Sequence, residues 1–290
     1  MALRVLPTDT RRHLRAVYDV ARVIDDLGDV GPVDGAWSVA HHARAPERTA
    51  ALIAFRTDLA TIWQGGTPRA PVLRRLAPSV AALGLPEQPF TDLIEANLRD
   101  QAVAEYATYE ELLEYCALSA NPVGRIVLLI FGASTPARLE LSDRVCTALQ
   151  IIEHCQDVAE DHRAGRRYLP LEDLQRFGVA PADLGTDHAT PAVRALLRFE
   201  AERAEALLYD GAALIGELHG WARLAVAGYA AGGLAAVRAL RRGGWSVLPT
   251  HPHRRRRDVL AVLIAFLLRP SGRGIWPRRR QTVRLPEVLR

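Results

Sequence analysis

Apolar residues recur at intervals of three and four through most of the chain, the spacing of one face of a helix. Val20, Val23, Ile24 and Leu27 fall on one side of a helix ending near Asp29, and Val145, Ala148, Ile152, Cys155 and Ala159 on one side of another over residues 138–164. The same spacing predicts helices over 71–84, 89–104, 108–118, 190–216 and 218–243, and one over 46–64 with Pro46 at its first position. Gly- and Pro-containing stretches at 31–35 and 65–68 separate them, Gly232 and Gly233 permit close helix approach, and Pro122 predicts a kink because it lacks the N–H that a helix interior needs. No sustained period-two alternation marks a strand. The expected fold is all-α. With 290 residues, 49% of them hydrophobic, and no linker-like run, a single helical domain over 1–290 is expected.

The polar positions carry the chemistry. Tyr18, Arg22, Asp25, Asp26 and Asp29 share an arc of about 100° on the first helix. Asp143, Gln150, Glu153, His154, Asp157 and Asp161 share one face of the helix over 138–164, and Asp157 and Asp161 stand one turn apart, roughly 6 Å along the axis. Either stripe alone reads equally well as a solvated face, since like charges at i,i+4 cost only about 0.2–0.5 kcal/mol in water. Facing a low-dielectric cavity is another matter: two carboxylates about 5 Å apart repel by about 3 kcal/mol at an effective dielectric of about 20. Mg²⁺ suits such a site, because it takes hard oxygen ligands and completes its shell with water and phosphate oxygens. Two acidic helices facing each other can therefore grip a diphosphate.

Three motifs in order resemble the squalene and phytoene synthase family. They are Asp25-Asp26-x-x-Asp29 preceded by Tyr18 and Arg22, the segment Tyr115 to Arg125 containing Ser-Ala-Asn-Pro-Val-Gly, and Gln156-Asp157-Val158-Ala159-Glu160-Asp161 followed by Gly165-Arg166-x-Tyr168-Leu169-Pro170. The likeness runs over residues 4–247, leaving a basic extension at 248–290, and the central segment is most similar to the bacterial hopanoid-pathway branch that makes hydroxysqualene. The resemblance implies helices around an apolar cavity for isoprenoid chains, with the aspartate motifs at its mouth. Asp25, Asp29, Asp157 and Asp161 are then the expected Mg²⁺ ligands, with Asp26 a further member at the edge of the arc. Tyr115 and Arg22 are expected to take part in catalysis. Tyr18, Arg22, Gln150, Asn121 and Arg166 are expected to contact substrate, and the planar fork of Arg22 suits diphosphate oxygens or, equally, an ion pair with its own aspartates. Glu153 and His154 depart from the family, where many relatives carry Asn at the position of Glu153, and can alter metal geometry or the fate of a carbocation. The Asn-Phe-Pro type segment that commonly precedes Leu6-Pro7 is also missing here.

Composition narrows the setting. Cys116, Cys146 and Cys155 have neither CxxC nor Cys/His spacing, which argues against a disulfide framework or a structural zinc and for a cytoplasmic protein. No secretion signal opens the chain, and the apolar run at 259–268 is far short of the roughly 20 residues that span a bilayer. Every basic residue counted with lysine is arginine, the net charge of +4 is mild, and no aromatic residues interleave with basic ones as in a nucleic-acid platform. Arg254, Arg255, Arg256 and Arg257 before that run and Arg278, Arg279 and Arg280 after it fit either a terminal helix with basic ends or peripheral contact with anionic lipid. The family resemblance implies presqualene diphosphate as substrate, converted to hydroxysqualene. The rivals are condensation of two farnesyl or geranylgeranyl diphosphates, and an inactive scaffold binding lipid or pathway enzymes. No GxGxxG dinucleotide fingerprint is present.

Overall fold

The computed structural model describes residues 6–29, 37–248 and 252–268, with side chains described for all of these except 37–43. Twelve α-helices occur among them: α1 (Thr8–Gly28), α2 (Trp37–Ala60), α3 (Pro71–Leu83), α4 (Gln88–Arg99), α5 (Tyr109–Ser119), α6 (Asn121–Ile130), α7 (Pro136–Arg163), α8 (Leu171–Phe177), α9 (Pro191–Gly211), α10 (Leu214–Glu217), α11 (Gly220–Arg242) and α12 (Arg256–Leu268). Among the described residues there is no strand, only an isolated bridge between Glu105 and Arg167. The all-α expectation holds. Threonines open three helices by accepting a backbone N–H two positions into the first turn: Thr108 from Glu111, Thr135 from Arg138 and Thr190 from Val193.

Two apolar cores meet at α4 and α6, with Ala96 of α4 reaching into the second. In the first, α1 to α4 close around Ile24, Leu52, Leu73 and Phe90; in the second, α5 and α7 to α12 close around Leu112, Ile151, Leu196 and Leu240. Helix α6 belongs to both, sending Ile126 and Ile130 into the first and Leu128 into the second. Helix α7 runs through the second core with α9 pressed along it. A Cβ on Gly211 would come within 2.8 Å of the Val145 backbone nitrogen and 2.9 Å of the Leu141 carbonyl. Gly233 of α11 likewise makes room for Leu149 and Leu208, so the close approach expected of the glycine pair rests on that one residue.

Several boundaries differ from the sequence reading. Pro46 lies inside α2, not at its start. Packing of Leu52, Phe55 and Leu59 in the core anchors this helix, so the one backbone hydrogen bond that proline withholds is tolerated. Helix α4 stops at Arg99 rather than 104, and α9 stops at Gly211 rather than 216. The expected kink is a break between α5 and α6 at Ala120, whose φ and ψ are −114° and −47°. Tyr109–Ile130 is long and apolar enough to cross a membrane by composition, but it is broken at that point and 56% buried in the protein. The terminal helix α12 buries Val262 and Phe266. Arg278, Arg279, Arg280 and the loop at 31–35 lie outside the described residues.

Behind α7, a buried ion cluster ties α5, α8 and α9 together. Arg203 donates to Glu200 at 2.6 Å and to Asp173 at 3.0 Å, and its guanidinium lies 3.4 Å from the centroid of the Tyr109 ring. Burial pushes the Glu200 carboxyl up to about 8, despite Arg203, so one arginine need not balance two full negative charges.

The packing of α7 on α9 leads to a stability prediction. Gly211→Ala should lower the unfolding free energy by about 1–3 kcal/mol, because the obstruction is backbone and cannot rotate away. Gly228→Ala, in the middle of α11 with nothing within 4 Å of an added Cβ, should be neutral or stabilising by up to about 1 kcal/mol. Urea unfolding of the two variants side by side measures the contrast.

Candidate active site

The polar faces of α1 and α7 meet across a basin of about 370 Å³. Asp25 and Asp29 come from the end of α1; Gln150, Glu153, Asp157 and Asp161 come from successive turns of α7; Arg166 and Tyr168 come from the segment that follows it. Asp29 caps α1, its backbone N–H bonding to the Asp25 carbonyl at 2.8 Å, so the first motif ends where its helix ends. Arg166 reaches across to Asp29 at 3.4 Å, joining the two acidic segments over 137 residues of chain. Burial, and then the neighbouring Asp29, push the Asp25 carboxyl above the ordinary carboxylate range. That repulsion lies within one wall, between Asp25 and Asp29; that the two walls face one space follows from their common lining of the basin.

The floor of the basin is a hydrogen-bonded set of aromatic and acidic groups. Tyr115 donates its hydroxyl to Asp100 Oδ2 at 2.9 Å, and Tyr168 donates to Asp100 Oδ1 at 3.0 Å. The His154 ring stacks on Tyr168 with centroids 3.9 Å apart and an 18° tilt. Gln150 Nε2 donates to His154 Nε2 at 3.1 Å, while His154 Nδ1 lies 3.7 Å from Asp161 Oδ2. Tyr168 is held in place by backbone pairing: Arg167 N–H donates to the Ala104 carbonyl at 2.8 Å and Leu171 N–H to the Tyr106 carbonyl at 2.9 Å. Burial pushes the Asp100 carboxyl up to about 6, with Arg166 and the two tyrosine hydroxyls opposing. Burial likewise pushes both tyrosines up, so they remain neutral phenols. Burial works against the charge of Arg166, but Tyr168, Asp100 and Asp29 more than compensate and fix it as a cation.

Some expected residues are elsewhere. Arg22 and Asp26 form an i,i+4 ion pair at 2.6 Å, both more than half exposed, and neither lines the basin. One helical step beyond Asp25 is enough to turn Asp26 to solvent, and its charge then captures the guanidinium. Tyr18 is 56% exposed. Asn121 is fully buried at the start of α6, where its side-chain oxygen accepts from Thr147 Oγ1 at 2.9 Å. It supports the helix break rather than lining the basin. Asp143 leaves the acidic face altogether and pairs with Arg125 at 2.7 Å. Sequence reasoning missed Asp100 and Asn97, and took Tyr168 only as part of a motif. Asp100 follows an apolar helix with no motif about it, and its partners are 15 and 68 residues away.

The basin adjoins less polar space. Glu153 also lines a polar cavity of about 380 Å³ shared with Asp157, Glu160 and Arg254, so Arg254 faces the acidic helix. Glu153 and Leu149 line an apolar cavity of about 880 Å³ between α7 and the pair α11 and α12, walled by Val127, Phe131, Leu224, Tyr229, Val259 and Leu263 among others. A smaller apolar cavity of about 230 Å³ lies against Val123, Val127, Cys146 and Gln150 under the α5–α6 break.

Residues 1–259 match the family described as squalene/phytoene synthase. The chain belongs to the squalene/phytoene synthase family. It is 34% identical over 210 residues to the hydroxysqualene synthase of Rhodopseudomonas palustris, a match spanning 72% of this chain and 66%, just under two thirds, of that protein. It is 31% identical over 210 residues to the presqualene diphosphate synthase of the same organism, spanning 69% of this chain and 71% of that one. The crystal structure of squalene synthase HpnC from Alicyclobacillus acidocaldarius superposes with a TM-score of 0.72 at 40% identity, covering 83% of this chain and 86% of that one. Members of this family are enzymes that act on prenyl diphosphates.

The basin fits a hard divalent cation by its donor set. Its two walls offer carboxylate oxygens, with Asp25 already pushed toward protonation by burial and by Asp29. Among the described residues no three His, Cys, Asp or Glu side chains are gathered closely enough to complete a metal site by themselves. Mg²⁺ retains waters and takes substrate phosphate oxygens, so one or two carboxylates from each wall meet its needs.

Asp100 generates a pH prediction. Its folded-state affinity for a proton exceeds that of the unfolded chain, so its contribution to stability is full below about pH 4 and is lost as pH rises through about 6. In Asp100→Asn that loss is absent. The unfolding free energy of the variant relative to the parent should therefore rise by up to about 3 kcal/mol between pH 4 and pH 7. Urea titrations across that range measure it; a pH-independent difference would mean that Asp100 does not titrate there.

Proposed function

We propose that the chain is a Mg²⁺-dependent isoprenoid synthase, a single helical domain over 1–290, that converts presqualene diphosphate to hydroxysqualene and diphosphate. The observation that carries this reading is the adjacency of an acidic basin and an apolar cavity of about 880 Å³ that share Glu153 as a wall. A diphosphate suits one end and paired isoprenoid chains the other. The 34% identity to a hydroxysqualene synthase supports the choice of reaction.

Asp25, Asp29, Asp157 and Asp161 would hold Mg²⁺, which when bound supplies the positive charge that neutralises the departing diphosphate. Arg166, fixed as a cation beside Asp29, adds a donor for the diphosphate oxygens. Tyr115 and Tyr168 have their hydroxyl protons committed to Asp100, so toward the basin they offer oxygen lone pairs and ring faces. Those are the groups that stabilise a carbocation without capturing it. Leu149 and Tyr229 give the hydrocarbon side apolar walls. One water then bonds to the cation and gives up a proton to the released diphosphate, yielding the alcohol. No hydride donor is required. Another enzyme would supply presqualene diphosphate and a further one would reduce the product, in a cytoplasmic setting with peripheral contact to the membrane.

The same basin suits the condensation of two farnesyl diphosphates, a reading favoured by the 31% identity to a presqualene diphosphate synthase. Product analysis separates the two. With presqualene diphosphate, Mg²⁺ and no nicotinamide nucleotide, the extract should contain hydroxysqualene by mass spectrometry, and farnesyl diphosphate alone should give little. Accumulation of presqualene diphosphate or phytoene from prenyl diphosphates would replace this reading with the condensing one. Asp25→Asn and Asp157→Asn should each lower turnover by roughly 10²-fold or more with helicity retained. Their stability without metal should be unchanged or higher, because each removes one of the mutually repelling charges.

A further inference from the structure

Helix α12 is apolar on both sides. Inward, Val262 and Phe266 are buried and Val259 and Leu263 line the large apolar cavity. Outward, Leu260, Ile264 and Leu268 are 57%, 45% and 79% exposed, at intervals of four that keep them on one stripe, with exposed Ala261 and Ala265 between them. A helix apolar all round is ordinarily buried in protein or lipid. This one is held in position rather than frayed: Arg242 of α11 pairs with Asp258 at 2.6 Å, and Arg223 donates to the Leu267 carbonyl at 3.2 Å, so both ends are tied to α11. Arg255, Arg256 and Arg257, all exposed, form its N-terminal turn and the approach to it.

We propose that α12 docks the protein on an anionic lipid bilayer, with Leu260, Ile264 and Leu268 in the apolar boundary and Arg255, Arg256 and Arg257 on the headgroups. Charge chooses the surface. Three exposed guanidiniums beside an apolar stripe complement negative headgroups, and the helix, at 13 residues, is too short to span and long enough to lie flat. Docking places the apolar cavity directly behind the membrane-bound helix, with Val259 and Leu263 on one side and lipid on the other. The benefit of that placement, a short path for a water-insoluble product, rests on the function proposed above; the docking itself does not.

The test uses the full chain with vesicles of phosphatidylcholine alone and of phosphatidylcholine with phosphatidylglycerol. The protein should sediment with the anionic vesicles and only weakly with the neutral ones. Leu260→Glu/Ile264→Glu should reduce anionic binding roughly tenfold or more, and so should Arg255→Glu/Arg256→Glu. Neither pair of residues lines the basin or the cavities. Their thermal melts, and their turnover of detergent-dispersed presqualene diphosphate, should match the parent, so a failure of the proposed reaction would show in the parent and a failure of docking would not touch it. The proposal is overturned if the parent ignores anionic vesicles, if it binds neutral vesicles equally, or if the stripe variant binds like the parent. It is also overturned if lipid-free sedimentation velocity shows a parental dimer that the stripe variant dissolves, since a second copy would then cover the stripe.

Discussion

Carboxylates held beside an apolar cavity repel one another more strongly than they would in water, and this repulsion organises the site. Asp25 and Asp29 from one helix and Asp157 and Asp161 from another share one basin. Each compensating group answers that charge. Arg166 sits against Asp29, and Asp100 is held by two phenol hydroxyls with a carboxyl that gains its proton near pH 6. Under the proposed function, the carboxylate oxygens of the two walls are the hard donors that a divalent cation carrying diphosphate would need. The same logic operates behind α7, where Arg203 serves two acids of which Glu200 is pushed toward neutrality. In both places the fold tolerates buried acids by weakening their ionisation rather than by matching every charge.

How much of this could be read beforehand follows from the range of the interactions. The acidic stripes were legible because a helix converts i,i+4 spacing into a face, and both stripes do meet at one basin. The all-helical fold was legible for the same reason. Asp26 and Arg22 were misplaced because the projection gives an arc and not the direction of the core within it, and a one-step turn separates Asp25 in the basin from Asp26 in solvent. Asn121 was placed at the site through its motif, but the helix break at Ala120 draws it inward onto Thr147. Asp100 could not have been found locally. Its role depends on the chain turning after Arg99 and on residues 104–107 pairing with 167–172, contacts that no periodicity encodes.

Glu153 and His154 are neighbours on α7, and the structure gives them different surroundings. His154 is buried, stacked on Tyr168 and joined to Gln150, so its ring braces the aromatic floor. Glu153 instead faces the acidic basin, the polar cavity beside Arg254 and both apolar cavities. A carboxylate there stands where the charged and hydrocarbon ends of a prenyl diphosphate would divide.

The sharing of α6 between two cores has a mechanical meaning. The helix that carries Asp25 and Asp29 packs in one core, the helix that carries Asp157 and Asp161 packs in the other, and Ile126, Ile130 and Leu128 bind both to the same ten-residue rod. The gap between the acidic walls therefore depends in part on hydrophobic side chains that lie outside the acidic basin. Resizing the aliphatic side chains of α6 would shift Asp25 and Asp29 relative to Asp157 and Asp161 while leaving every one of the four residues unchanged.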